Sequence, residues 1–152
     1  MGSDDRLPLA GVTVVEVAGG AAAAYCGRML ADAGATVVLA ETSPEQRLRG
    51  LVRVPTELEA AWADCISAGK RIERLADREA LLQRCTQADL VLAGESSGFD
   101  ASVARPRCAT VQLSWFGRQG PYCDWTGNDL VVQALTGMPQ MAGSVDGPPV
   151  QA

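Results

Sequence analysis

The sequence predicts an α/β fold, a three-layer sandwich built on a mostly parallel sheet. Short runs rich in β-branched residues alternate along the chain with stretches of helical pattern. Glycine or proline stands at several of the junctions between them. The first strand, its glycine turn, a helix and a second strand fit within about 30 residues, the length of a βαβ unit. Strands joined by such a crossover run parallel, because the helix carries the chain back to the end where it began. A length of 152 residues suits one domain.

The elements follow in order. Gly11 to Val17 reads as a buried strand of mostly valine, broken by Gly19-Gly20. Ala21 to Ala33 reads as a helix with Gly34 just past its end. Thr36 to Ala40 is a second short apolar strand closing on Glu41. Glu57 to Cys65 reads as a helix with Thr56 as its cap. Gly69 to Ile72 enters either a short strand or an extended crossing. Asp77 is placed to cap a helix from Arg78 to Gln87, with Ala80, Leu81, Leu82 and Cys85 on its apolar side. Asp89 to Ala93 is a further strand, followed by the polar loop Glu95–Gly98 and, at most, a short helix from Phe99 to Ala104. Cys108 to Trp115 completes the strands, alternating enough for one face to meet water. After the loop Gly117–Tyr122, a helix from Asp129 to Thr136 stops at Gly137.

Composition excludes several classes of function. The net charge of −5 argues against nucleic acid, whose phosphates need a basic face. No apolar run reaches the roughly 18 residues of a membrane span, and Met1–Arg6 lacks the basic and apolar blocks of a secretory signal. The five cysteines (Cys26, Cys65, Cys85, Cys108 and Cys123) include no C-x-x-C pair and are odd in number. They read as reduced, mostly buried thiols of a cytoplasmic protein. Without histidine there is no usual zinc pattern and no complete Ser-His-Asp or Cys-His site, so no metal is expected.

Three segments are candidates for binding. The turn Ala18-Gly19-Gly20-Ala21 lies after a strand and before a helix, where backbone N–H groups attract phosphate. Its spacing is not G-x-G-x-x-G, so a nicotinamide or flavin site is an alternative only, with Glu41 standing where a ribose-binding acid would. Gly69-Lys70-Arg71 resembles the end of a phosphate loop but lacks the first glycine of one. Lys70 and Arg71 read either as a grip on one phosphate or as a solvated pair. The stretch Trp115 to Asp129 gathers aromatic residues and glycine in a loop, serving either binding or cover for the sheet end.

Taken as an ordered series, the segments resemble the class III coenzyme A transferases, the CaiB/BaiF-like family that includes formyl-CoA transferase, carnitine CoA-transferase and α-methylacyl-CoA racemase. The resemblance is carried by Leu9-Ala-Gly-Val-Thr-Val-Val-Glu-Val17 and by Tyr25-Cys-Gly-Arg-Met-Leu-Ala-Asp-Ala-Gly-Ala-Thr-Val-Val-Leu-Ala-Glu41. It continues through Gly69-Lys70-Arg71, Arg78-Glu-Ala-Leu-Leu82 and Ala88-Asp-Leu-Val-Leu92. Phe116-Gly-Arg-Gln-Gly-Pro-Tyr122, Asn128-Asp-Leu-Val-Val-Gln-Ala134 and Gly147-Pro-Pro-Val150 complete it.

The resemblance implies a Rossmann-like domain over residues 9–142 that holds coenzyme A or an acyl-CoA as substrate, with no tightly bound cofactor. It places the CoA contacts at Gly19, Gly20, Ala21, Ala22, Thr42, Lys70, Arg71, Gly94, Glu95 and Ser97. It also implies interlocked subunits, hence a homodimer or a pairing with a C-terminal part or partner subunit. In the family an aspartate carboxylate attacks the acyl-CoA thioester to form a mixed anhydride, and CoA then passes to the acceptor acid. That aspartate falls beyond the Gly-Pro-Pro-Val segment, so no catalytic residue is assigned here. Residues 1–8 are expected to be a flexible leader. The Gly- and Pro-rich 143–152 is expected to be a loop leading into a missing part, which makes this chain a fragment, inactive alone.

Departures from the family pattern bear on the reaction. Thr42 stands where an arginine is usual, and Glu95 would repel CoA phosphates. Together with Gly19, where the family often has a polar or basic residue, they favour an alternative in which the chain is a non-catalytic scaffold copy or partner subunit. Asn128 stands where racemases of the family carry an acid–base histidine, which ranks racemisation below transfer.

Overall fold

A computed structural model of the chain describes residues 7–17, 19–42, 56–94, 97, 99, 108–142, 146–148 and 150. They divide into two compact units, Met1–Leu113 and Ser114–Ala152. The first contains β1 (Thr13–Val17), α1 (Ala21–Asp32), β2 (Thr36–Glu41), α2 (Thr56–Ser67), β3 (Arg71–Arg74), α3 (Arg78–Cys85), β4 (Leu90–Gly94) and β5 (Ala109–Leu113). The second contains α4 (Asp129–Thr136) and the short α5 (Met138–Met141).

The five strands form one sheet in the order β3-β2-β1-β4-β5, and every pairing is parallel. The order reverses at β1, with β2 on one side and β4 on the other, so the switch point lies between β1 and β4. Side chains alternate across each strand, and both faces are covered. On one face Val14, Val37 and Leu92 pack with Ala23 of α1, while Leu39 packs with Ala24 of α1 and Ile66 and Trp62 of α2. On the other, Val15, Val17, Ala40, Val91 and Ala93 pack with Leu81 and Cys85 of α3. A sheet buried on both faces is why β1, β2 and β4 read as near-continuous apolar runs rather than alternating ones.

Local chemistry explains the ends. The Asp77 carboxylate accepts from the Ala80 N–H at 2.9 Å, capping α3 as expected. Asp89 ties the starts of two strands together: its carboxylate accepts from the Thr13 N–H at 2.8 Å, and its own N–H donates to the Thr13 carbonyl at 2.9 Å. The segment from Gly69 resolves as an edge strand beginning at Arg71, not an extended crossing. Thr56, expected as a cap, is the first residue of α2, which runs on to Ser67. The expected short helix Phe99–Ala104 lies outside the described residues save Phe99.

The thiols differ from expectation. Cys85 alone is buried; Cys26, Cys108 and Cys123 are half-buried and Cys65 is exposed on α2. Cys65 sits among the last residues of that helix, on a face turned from the core.

The strand ends at the switch point touch through bare backbone. A Cβ on Gly94 would lie 1.5 Å from the Gly19 carbonyl oxygen, inside any possible contact. Gly94→Ala therefore has to separate the two loops. It is expected to lower stability by about 1–3 kcal/mol, the range for forced overpacking. Urea denaturation checks this, and an unchanged midpoint would refute the contact.

Candidate functional site

In doubly wound sheets the carboxyl ends of the strands are where ligands meet backbone N–H groups. Here those ends are Val17, Glu41, Arg74, Gly94 and Leu113. Beyond β1 come Gly19 and Gly20, both half-buried, and then the first turn of α1, with Ala21 half-buried and Ala22 exposed. No side chain caps this helix, and its first turn carries no acid. The opening N–H groups thus face their surroundings without a competing carboxylate.

Beyond β4, the Ser97 hydroxyl donates to the Gly94 carbonyl and accepts from the Phe99 N–H at 3.2 Å. A Cβ on Gly19 would meet Ser97 Cβ and N at 2.9 Å. Gly19, Gly94 and Ser97 are thus brought together as the sequence reading grouped them, with Gly20, Ala21 and Ala22 next along the chain. Thr42 follows β2 at the same end of the sheet. Glu95 lies outside the described residues.

The two cations of the Gly69-Lys70-Arg71 segment part company, Lys70 fitting neither reading and Arg71 lying in solvent. Lys70 is neither solvated nor turned to the strand ends. Its Nζ donates to Glu16 Oε2 at 2.7 Å and to the Ala24 carbonyl at 2.6 Å. The two side chains are 0% and 1% exposed. Arg71 is exposed and pairs in register with Val38, three positions short of the end of β3.

Arg74, one of a local group of cations with Lys70 and Arg71 but outside the expected CoA contact set, pairs with Glu41 at the carboxyl edge. Its side chain is 78% exposed, with Nε 3.7 Å from Glu41 Oε2. The signal available was arithmetic: a strand starting at Arg71 brings its fourth residue to the sheet end. Glu41, read as a potential ribose acid, instead faces this guanidinium and accepts from the Leu75 N–H through its carbonyl.

Sequence reasoning missed Gly27. A Cβ there would stand 1.9 Å from Glu16 Oε2 and 3.1 Å from Lys70 Nζ, so α1 lies directly on the ion pair. Glu16 Oε1 is buried without a hydrogen-bond partner. Burial pushes the Glu16 carboxyl above the ordinary carboxylate range, with the Lys70 charge and hydrogen bond pulling it part of the way back. Removing one partner of such a pair leaves an uncompensated charge in the core, a cost of about 3–5 kcal/mol.

In the second unit, Tyr122 and Trp125 pack tilted by 59° with ring centres 4.6 Å apart, and Phe116 lies at 6.4 and 6.1 Å from them. Asn128 caps α4, its Oδ1 accepting from the Val131 N–H at 3.0 Å. An amide in that position has a structural task and no acid–base one. Among the described residues no helix is long and apolar enough to cross a membrane.

The profile of CoA-transferase family III matches residues 9–152. The chain belongs to that family. The succinate–glutarate CoA-transferase of Agrobacterium fabrum is 32% identical over 95% of this chain and 42% of its own length. The succinyl-CoA:mesaconate CoA-transferase of Haloarcula marismortui is 30% identical over 99% of this chain and 42% of its own. The chain spans about two-fifths of the length of the curated relatives it matches. Among solved structures, a CaiB/BaiF family protein from Brucella suis superposes with a TM-score of 0.76 at 26% identity, covering 96% of this chain and 43% of that one. A hypothetical protein from Mycobacterium tuberculosis does so with a TM-score of 0.71 at 26% identity, over 95% and 44%. The mostly parallel α/β fold is therefore the family's.

The thiols of this family member differ in burial and in the charges around them. Burial raises the Cys26 thiol, and the negative charge of Glu16 raises it further against Lys70. Burial, then Cys108, pushes Cys85 up to about 11. Only the thiolate reacts with iodoacetamide. At pH 7.5 Cys65 should be modified first and Cys85 last, with the Cys85 rate still climbing above pH 9. Peptide mass spectrometry over a time course reads the order, and early labelling of Cys85 in the folded chain would contradict its burial.

Proposed function

We propose that this chain is the N-terminal, CoA-binding portion of a class III CoA transferase, which moves CoA between an acyl-CoA and a carboxylic acid. The observation that carries the reading is the family match running from residue 9 to 152. The uncapped start of α1 beside the switch point gives the diphosphate of CoA a cluster of backbone donors. Gly19, Gly20, Ala21, Ala22, Thr42, Gly94, Glu95 and Ser97 form this reading's contact set. Arg74 joins them as the exposed cation at the strand ends, and Arg71 stays as a more distant one. Lys70 leaves the set, because its ammonium is held inside the core. The chemistry follows the aspartyl mixed-anhydride route, with the nucleophile supplied from outside these residues.

A second reading, a non-catalytic scaffold copy or partner subunit, is favoured by one observation. One of the two expected phosphate cations is engaged with Glu16 instead. An NAD(P) domain is the weaker alternative. The turn Ala18-Gly19-Gly20-Ala21 lacks the G-x-G-x-x-G spacing by which a dinucleotide fold brings its backbone onto pyrophosphate.

A thermal-shift titration separates these. CoA at a hundred times its dissociation constant adds roughly 2.7 kcal/mol, about 5–10 °C for a chain of this size. A shift with CoA and none with NAD or NADP supports the transferase reading. No shift with CoA leaves the scaffold reading, and a shift with NAD alone overturns both.

The partner in this reading is a second copy or a companion subunit. Along α4 and α5, Leu130, Leu135, Met138 and Met141 are 57%, 58%, 49% and 82% exposed, an apolar run that favours association. Light scattering at micromolar concentration should find a dimer or larger species; a clean monomer would count against interlocked subunits.

A further inference from the structure

We propose that Lys70 acts as a positioning residue: through Glu16 and the Ala24 carbonyl it seats α1 on the sheet and so fixes the turn Gly20–Ala22, without touching a ligand itself. The inference rests on the CoA-binding reading for the role of that turn, while the seating of the helix stands on geometry alone.

Apart from the packing of Gly19 on Gly94 and Ser97 and the burial of Ala23 and Ala24, little holds the turn. Residues 21–24 are four alanines, which offer no side-chain hydrogen bond and small apolar contact. Gly20 has φ of 107° and gives no side-chain cap. Polar attachment comes one turn in. The Ala24 N–H donates to the Gly20 carbonyl at 3.1 Å, and the Ala24 carbonyl accepts from Lys70. Lys70 is in turn anchored on Glu16 of β1. A continuous path of hydrogen bonds thus runs from the strand, through an ammonium, to the peptide that opens the helix.

Lys70 reaches this place because the chain turns tightly after α2. Its own N–H donates to the Ser67 carbonyl at 3.0 Å, and Gly69 has φ of 77°. Gly27 lets the helix descend until its backbone rests on the pair. Axial slippage of α1 would bring a side chain onto Glu16 in place of Gly27. The ion pair therefore selects one helix position, and with it one height for the N–H groups of the turn above the strand ends.

The test compares the full chain with Glu16→Leu/Lys70→Met, which removes both charges and keeps apolar bulk. Replacing both members of a buried pair is tolerated far better than removing one. In the ligand-free protein, amides of residues 20–27 should exchange at least about tenfold faster in the double variant, while β1 and β4 keep their protection. CoA, titrated calorimetrically at several salt concentrations, should bind at least about tenfold more weakly, with the same dependence on salt as the parent.

Unchanged exchange together with unchanged affinity overturns the proposal, because the pair would then merely fill space. A shallower salt dependence overturns it too, because Lys70 would then be neutralising a phosphate. If the parent itself does not bind CoA, the CoA reading fails and the exchange measurement alone decides the seating of the helix. Should the double variant not fold, Gly27→Ala gives the same readings, since it lifts α1 from the pair and leaves both charges in place. Unaltered exchange at residues 20–27 in that folded variant would refute the seating.

Discussion

The fold of the first unit is organised around one buried ion pair. Glu16 of β1 and Lys70 of the α2–β3 turn are 54 positions apart, and they meet beneath Gly27 of α1, a third stretch of chain. Three stretches of chain must arrive together for either charge to be tolerable in the core. A carboxylate there without its ammonium would be among the most costly groups a domain can bury. With one oxygen still unpartnered, the pair is a poor source of net stability. What it supplies is discrimination, because misaligned packings of β1, α1 and the α2–β3 turn strand a charge.

The carboxyl end of the sheet is built on a different principle, the removal of side chains. Gly19 and Gly94 leave peptide against peptide where the strand order reverses, and the Ser97 hydroxyl closes the second loop onto its own strand. Small residues continue into α1. An anion approaching this edge would be read chiefly by N–H groups, with Arg74 as the exposed charge at the margin. Backbone recognition of this kind depends on where the helix start is held, which links the bare edge to the charged core beneath it.

Much of the architecture was legible in the sequence. Valine-rich runs and glycine turns gave the strands β1, β2 and β4 within a residue or two, and Asp77 announced its helix because capping is local chemistry, whereas Asn128, weighed in the sequence only against a histidine, proves to cap α4. Lys70 was not legible in the same way. Beside Arg71 it looked like half of a surface pair, since a partner 54 residues upstream leaves no trace in local spacing. Two hints were present. Glu16 stood alone in a run of valines predicted to be buried on both faces, which calls for a distant cation. Gly27 stood inside a helical pattern, where a glycine usually marks close packing. Arg71 and Arg74 were separable only once the register of β3 against β2 was known.

The aromatic residues carry a practical consequence. Of the three tryptophans, Trp62 packs in the cluster under α2, while Trp115 and Trp125 belong to the second unit and are about half exposed. Trp125 lies within 4.6 Å of Tyr122, close enough for tyrosine excitation to pass to the indole. The chain therefore carries two intrinsic optical labels in different surroundings. Emission from Trp62 follows the environment of the parallel-sheet unit, and the tyrosine-sensitised emission of Trp125 follows the loop before α4. A single fluorescence trace contains the history of both units, and a Trp62→Phe variant is what separates them.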